Sequence, residues 1–240
     1  MRFPTGQLLV DAAVRARWAA GWGAGLAVAL LRHAVAQPRI ERRRTVEPGR
    51  DPAVADRPVP GDPGAVQTRA DGAGPSFRRR YAVRVRGHHR SPEELIDGIA
   101  RDPNAAAPFE VARFVKTSGL LGEMRTGDEY LVWMPGPWNG PVRVADREPA
   151  SFRLATLNGH MEAGEIEFRA REESGELVFE IESAARSGSR PFGLVYGPLR
   201  LAREAQLYMW AQFCRHVAAM AGGEPGPVVV ETRTYPDDHG

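Results

Sequence analysis

The sequence predicts an α+β domain: a curved antiparallel sheet wrapped around one long C-terminal helix, with an N-terminal helical extension ahead of it. Three observations predict it. Residues 151–181, SFRLATLNGHMEAGEIEFRAREESGELVFEI, read as three successive strands joined by two tight turns. Those strands alternate apolar and charged residues, so one face of the sheet is apolar and needs a cover. Only the stretch 198–221 has the length and the 3.6-residue periodicity to supply that cover.

A chain of 240 residues is long enough for one sizeable domain with extensions, or for two small ones. Composition divides it into an N-terminal helical segment (1–36), a flexible linker rich in Pro, Gly and Arg (37–76), a folded domain (77–223) and a C-terminal strand and tail (224–240). The net charge is +2, and Lys116 is the one lysine among 32 basic side chains. Nearly all the positive charge is arginine beside abundant Ala, Gly and Pro, which reads as a coding bias rather than a nucleic-acid footprint, so no nucleic-acid partner is expected. The single cysteine, Cys214, excludes an intrachain disulfide and a cysteine zinc site. No phosphate loop, metal-ligand spacing or nucleophile–base–acid array is legible. No catalytic residue, metal or cofactor is therefore assigned.

The extension has two readings. Leu8 to Trp18 has helical character, and the apolar run Trp18 to Leu31, closed by Arg32, is shorter than the roughly 20 residues of a membrane span. A helix lying on the domain or on a membrane surface fits this. So does a signal or anchor with Ala34-Val35-Ala36 as its small-residue end. A cytoplasmic protein with a membrane surface as partner through 1–36 is expected. In the linker, Arg42-Arg43-Arg44 reads as a solvated basic run.

The folded domain opens with a strand from Phe77, in which Tyr81, Val83 and Val85 alternate with Arg80, Arg84 and Arg86. His88 and His89 sit at its loop edge as ordinary polar residues. Ser91-Pro92-Glu93-Glu94 is a helix start, with Ser as N-cap, Pro in the first turn and Glu placed for a capping box. That helix carries Leu95, Ile96 and Ile99 and stops at Asp102-Pro103. A second short helix is expected through Phe109, Val111, Phe114 and Val115. A strand from Glu123 to Met134 leads into a proline-stiffened loop holding Trp138, and Val142 to Asp146 returns from it.

The turn at Ser174-Gly175 sets Phe168 opposite Ile181 and Ala170 opposite Phe179, leaving Glu167, Arg169, Arg171, Glu180 and Glu182 on the wet face. The earlier turn is harder. A three-residue loop Leu157-Asn158-Gly159 pairs Thr156 with His160, Leu154 with Glu162 and Phe152 with Gly164. It turns His160 and Glu162 inward, with Thr156, as a polar trio on an apolar face. The alternative is a two-residue loop with a bulge at Gly164, which leaves both side chains in solvent.

The long helix turns Ala202, Gln206, Met209, Trp210, Phe213, Val217 and Met220 toward the sheet, and Gly222-Gly223 ends it. A cavity between sheet and helix would be lined by Phe168, Phe179, Ile181, Met209 and Trp210. Thr156, His160, Glu162 and Gln206 would orient a polar group. The leading expectation is a small apolar or amphipathic ligand. A structural module tethered to a membrane or partner, and a cavity enzyme using His160 and Glu162 as general acid and base, are the alternatives.

The segment LATLNGHMEAGEIEFRA resembles the bacterial domain-of-unknown-function family nineteen-ninety, whose Gly-His-x-Glu-Ala-Gly stretch is followed by Glu and Phe. Here these are Gly159, His160, Glu162, Ala163, Gly164, Glu165 and Phe168. The likeness covers roughly 77–223. More broadly, the chain looks like the SRPBCC superfamily, with its START and birch-pollen-allergen-like relatives. The resemblance implies a helix-grip fold and implies no particular activity.

Overall fold

The alternating strands assemble into one ten-stranded sheet in a computed structural model that describes residues 40–49, 51, 58–134, 140–188 and 199–236, the last from 199 to 205 by backbone only. The strands are β1 (Ile40–Val46), β2 (Ala73–Arg86), β3 (Arg113–Ser118), β4 (Glu129–Trp133), β5 (Gly140–Glu148), β6 (Ser151–Thr156), β7 (Glu162–Glu173), β8 (Glu176–Ser187), β9 (Glu224–Pro225) and β10 (Val228–Tyr235). Two α-helices are described, α1 (Pro92–Arg101) and α2 (Leu199–Ala221). In space the order is β1-β10-β2-β8-β7-β6-β5-β4-β3, with β9 beside β2. Only β1 with β10 runs parallel. An open antiparallel sheet with few helices fits the helix-grip class. Expectations for 1–36, Trp138, Pro198 and 237–240 lie outside the described residues.

The local signals act as read at several points. Ser91 Oγ accepts from Glu94 N, and Glu94 returns a bond to Ser91 N, which starts α1 behind Pro92. Ser174 and Gly175 both take positive φ, the requirement of a type I′ turn. The hairpin pairs Phe168 with Ile181 and Ala170 with Phe179.

The two faces of this hairpin differ as the alternation requires. Phe168, Phe179 and Ile181 are fully buried against α2. Phe168 stacks on Phe152 at 4.6 Å and meets Trp210 and Phe213 at 5.5 Å each. On the opposite face Glu180, only 1% exposed, takes bonds from Arg80, Arg169 and Arg171. Three guanidinium groups shield one carboxylate, so the wet face is roofed by its own arginine stems.

Three expectations change. The second short helix is absent from the described residues between α1 and β4: Pro103–Ala105 forms a 3-10 turn and Phe114 lies in strand β3. The side chain of Asn104 accepts from Phe114 N and donates to Phe114 O, holding that segment extended. The pairing of β6 with β7 is also shifted. Phe152 faces Phe168 and Leu154 faces Ile166, not Gly164 and Glu162. The ring stack rewards this register, which shifts β7 by four residues against β6 and so preserves the faces; the expected three-residue loop with Thr156 opposite His160 is not formed, and residues 157–161 join the strands instead.

The described part of the expected linker is built into the domain. Ile40–Val46 pairs with β10. Asp51 accepts from Arg69 and Ser76. Arg153 donates to Pro58 O, and Arg143 donates to Pro60 O and Asp62 O, from beneath the segment. Val66 bridges to Leu157. Composition alone reads as loop here because its partners are main-chain carbonyls and distant side chains.

Phe168 touches aromatic rings from both layers, so Phe168→Ala should cost about 3–5 kcal/mol in urea melts. Glu180→Ala should cost less, about 1–3 kcal/mol, because the three freed arginines can turn to solvent. A reversed order would mean that the ionic face outweighs the aromatic seam.

Candidate functional site

The inner face of the sheet changes character along the strands. Tyr81, Ile181, Phe168 and Phe152 form one cross-strand row, closed under α2. The next row is Arg79, Ser183, Ile166 and Leu154. Arg79 thus lies on the side of Tyr81, Val83 and Val85, and its guanidinium enters the layer between sheet and helix. There Nη1 donates to Gln206 Oε1 at 2.6 Å and to Glu162 Oε1 at 3.2 Å. Gln206 Nε2 donates to Glu162 Oε2 at 2.9 Å. The three side chains close a ring between β2, β7 and α2. Arg79 also sits over the Phe77 ring at 5.2 Å. The ring is reachable from water, with the Arg79 side chain 11% and the Glu162 side chain 24% exposed.

His160 and Thr156 are used differently. His160 Nδ1 lies 2.9 Å from both Glu162 N and Glu162 O, accepting from the first in one tautomer and donating to the second in the other. The ring edge at Nε2 and Cδ2 lies against Gly140, beside Met134. Desolvation lowers the His160 pKa below its ordinary value, outweighing the opposing pull of Glu162. Thr156 is buried, donates to Gln67 O at 2.8 Å and accepts from Gly164 N at 2.9 Å. The three residues expected as a trio therefore share a neighbourhood but do not bond through their side chains. His160 meets the backbone of Glu162, whose carboxylate belongs to Arg79 and Gln206. An imidazole–carboxylate acid–base dyad is not formed. The arrangement can bind and orient a polar group; proton relay between these two is not built.

The turn itself owes its shape to a residue far away in sequence. Gln67 Nε2 donates to His160 O at 2.9 Å and Glu162 O at 3.1 Å, while Gly159 N donates to its Oε1 at 3.3 Å. Gly159 is left-handed, as the turn demands. Gly164, also at positive φ, leaves no room for a ring: a Cβ there would collide with Ala184 O. Its missing side chain admits backbone, and Phe152 lies elsewhere.

Of the expected lining, Phe168, Phe179, Ile181, Met209 and Trp210 are core residues packed on one another and on Phe213. Glu162 and Gln206 are brought together, and His160 stands beside them. Sequence reasoning missed Arg79 and Gln67. Arg79 shares odd parity with Tyr81, which was a usable signal; Gln67 had none. Among the described residues no group of three metal-binding side chains occurs, and no helix is long and apolar enough to cross a membrane.

Two outcomes test this geometry. Gly164→Ala should lower the melting temperature by several degrees, since backbone rather than a pliable side chain blocks the added carbon. His160, with its folded pKa below the 6.5 of the free group, contributes stability present above that pH and lost as pH falls toward the folded value. His160→Asn keeps a hydrogen-bonding group near Nδ1 but does not titrate. Urea melts from pH 8 to 5 should then show a shallower loss in the variant.

A family model described as "Domain of unknown function (DUF1990)" matches residues 67–216. No curated protein matches the chain. Among solved structures, the di-domain ARO/CYC StfQ from the steffimycin biosynthetic pathway is 11% identical with a TM-score of 0.46, over 64% of this chain and 52% of that one. The chain thus spans about half of StfQ's length. Major latex-like protein 151 from Panax ginseng is 12% identical with a TM-score of 0.43, over 61% of this chain and 97% of that one. Hypothetical protein jhp0584 from Helicobacter pylori is 9% identical with a TM-score of 0.43, over 60% and 86%. With TM-scores below 0.5 these are likenesses only.

Proposed function

We propose that this chain, which belongs to the DUF1990 family of domains of unknown function, binds a small amphipathic molecule at the polar end of the layer between sheet and α2. In this reading the domain is a helix-grip fold, with the sheet curved about α2 and its gripped centre filled by side chains. The apolar lining expected in the middle gives way to a site displaced toward Arg79, Glu162 and Gln206, flanked by His160, Ile166 and Met134.

The ring of Arg79, Glu162 and Gln206 carries the reading. Apolar side chains would close this end of the core without the desolvation cost of an ion pair. A ring that joins both layers and still reaches water can exchange one internal hydrogen bond for one to a ligand carbonyl, hydroxyl or carboxylate. Half-buried Ile166 and Met134 offer an apolar flank.

The packed aromatic centre favours a second reading, in which the domain is a structural module and the ring only staples helix to sheet. Native mass spectrometry of freshly purified full-length protein, with titration of the amphipathic dye 8-anilinonaphthalene-1-sulfonate, separates the two. Binding supports the first reading if Gln206→Leu weakens the dye about tenfold, the worth of one hydrogen bond to a charged group, with melting little changed. No retained molecule and no dye binding would leave the module.

A further inference from the structure

The loop between β3 and β4 exposes two adjacent leucines: Leu120 is 63% exposed, and Leu121, at 86%, is the most exposed large apolar side chain among the described residues. Exposed leucine is commonplace on loops that move, but this loop is held. Lys116, with its side chain 6% exposed, spends its three ammonium donors within the loop, on Leu120 O, Glu123 O and Asp128 Oδ2, each at 2.6 Å. Arg125 N donates to the same Asp128 oxygen at 2.8 Å, and Gly127 N donates to Val144 O at 2.8 Å. Met124 is buried in the core beneath. The only lysine of the chain thus fixes a tip that presents two leucines outward.

We infer that this tip is a lipid-surface docking point, inserting Leu120 and Leu121 among the acyl chains of a bilayer. Three features select lipid over a protein partner. The carbonyls of Leu120 and Glu123 are satisfied from within by Lys116, which lowers the cost of seating the tip at a lipid surface. A protein interface instead uses about one hydrogen bond per 100–200 Å² and roughly 800 Å² per partner, which two adjacent leucines do not offer. The loop's charges are also paired internally, Lys116 with Asp128 and Arg125 with Glu123 at 2.9 Å. Attachment is therefore apolar in origin, independent of anionic lipid and insensitive to salt. This contact is separate from residues 1–36 and from the ligand reading above.

The test uses the full chain with sucrose-loaded phosphatidylcholine vesicles. Wild-type protein should sediment with them, equally at 0.1 and 0.5 M NaCl. Leu120→Ser with Leu121→Ser should lower the partition coefficient at least tenfold, because two leucine side chains lose their apolar phase. Its melting should match wild type, since neither side chain packs in the core. Absence of wild-type sedimentation would overturn the inference, as would a double variant that sediments unchanged. Binding that needs phosphatidylserine and fails in high salt would also overturn it. So would a double variant whose only change is loss of self-association in analytical ultracentrifugation, which would make the loop a contact between copies.

Discussion

Phe168 stands where the sheet meets α2, stacked on Phe152 within its own layer and set against Trp210 and Phe213 from the helix. That aromatic seam couples strand register to helix position. Sliding β6 along β7 would break the stack, and lifting α2 would expose four rings at once. Dispersion and apolar burial of this kind are large and nearly directionless, while the ring geometry supplies the direction. Because the seam is closed, space for anything else between the layers must lie beyond it.

Beyond it the inner face turns polar within one row. Arg79 takes the position next to Tyr81 on the same strand face, and Glu162 and Gln206 meet it from another strand and from the helix. Each group satisfies another, which keeps the cost of burial tolerable. Desolvation lowers the pKa of His160 nearby, and its ring meets the backbone of Glu162 instead of the carboxylate. The outer face handles charge differently. There Glu180 lies beneath the guanidinium groups of Arg80, Arg169 and Arg171, which stay part-exposed and let solvent screen the outer charges.

Long-range straps finish what the local code leaves open. Gln67 shapes the turn before β7, and the carbonyls of Pro58, Pro60 and Asp62 sit on Arg153 and Arg143. A segment rich in Pro and Gly gains order here by accepting hydrogen bonds, a role for which apolar periodicity is no guide.

The sequence by itself determined the two-faced hairpin, the capping of α1 and the end of α2 at Gly222. Each follows from period, cap or turn chemistry acting over a few residues. Arg79 was legible by parity with Tyr81, though a charge on a core face runs against the usual pattern. The register of β6 on β7, the extended path of Phe114 and the ordering of 58–67 were decided only in three dimensions. A ring stack, the side chain of Asn104 and the amide of Gln67 settled them. Each joins chain segments whose proximity exists only after the sheet has formed, so no window of sequence contains the interaction that chooses.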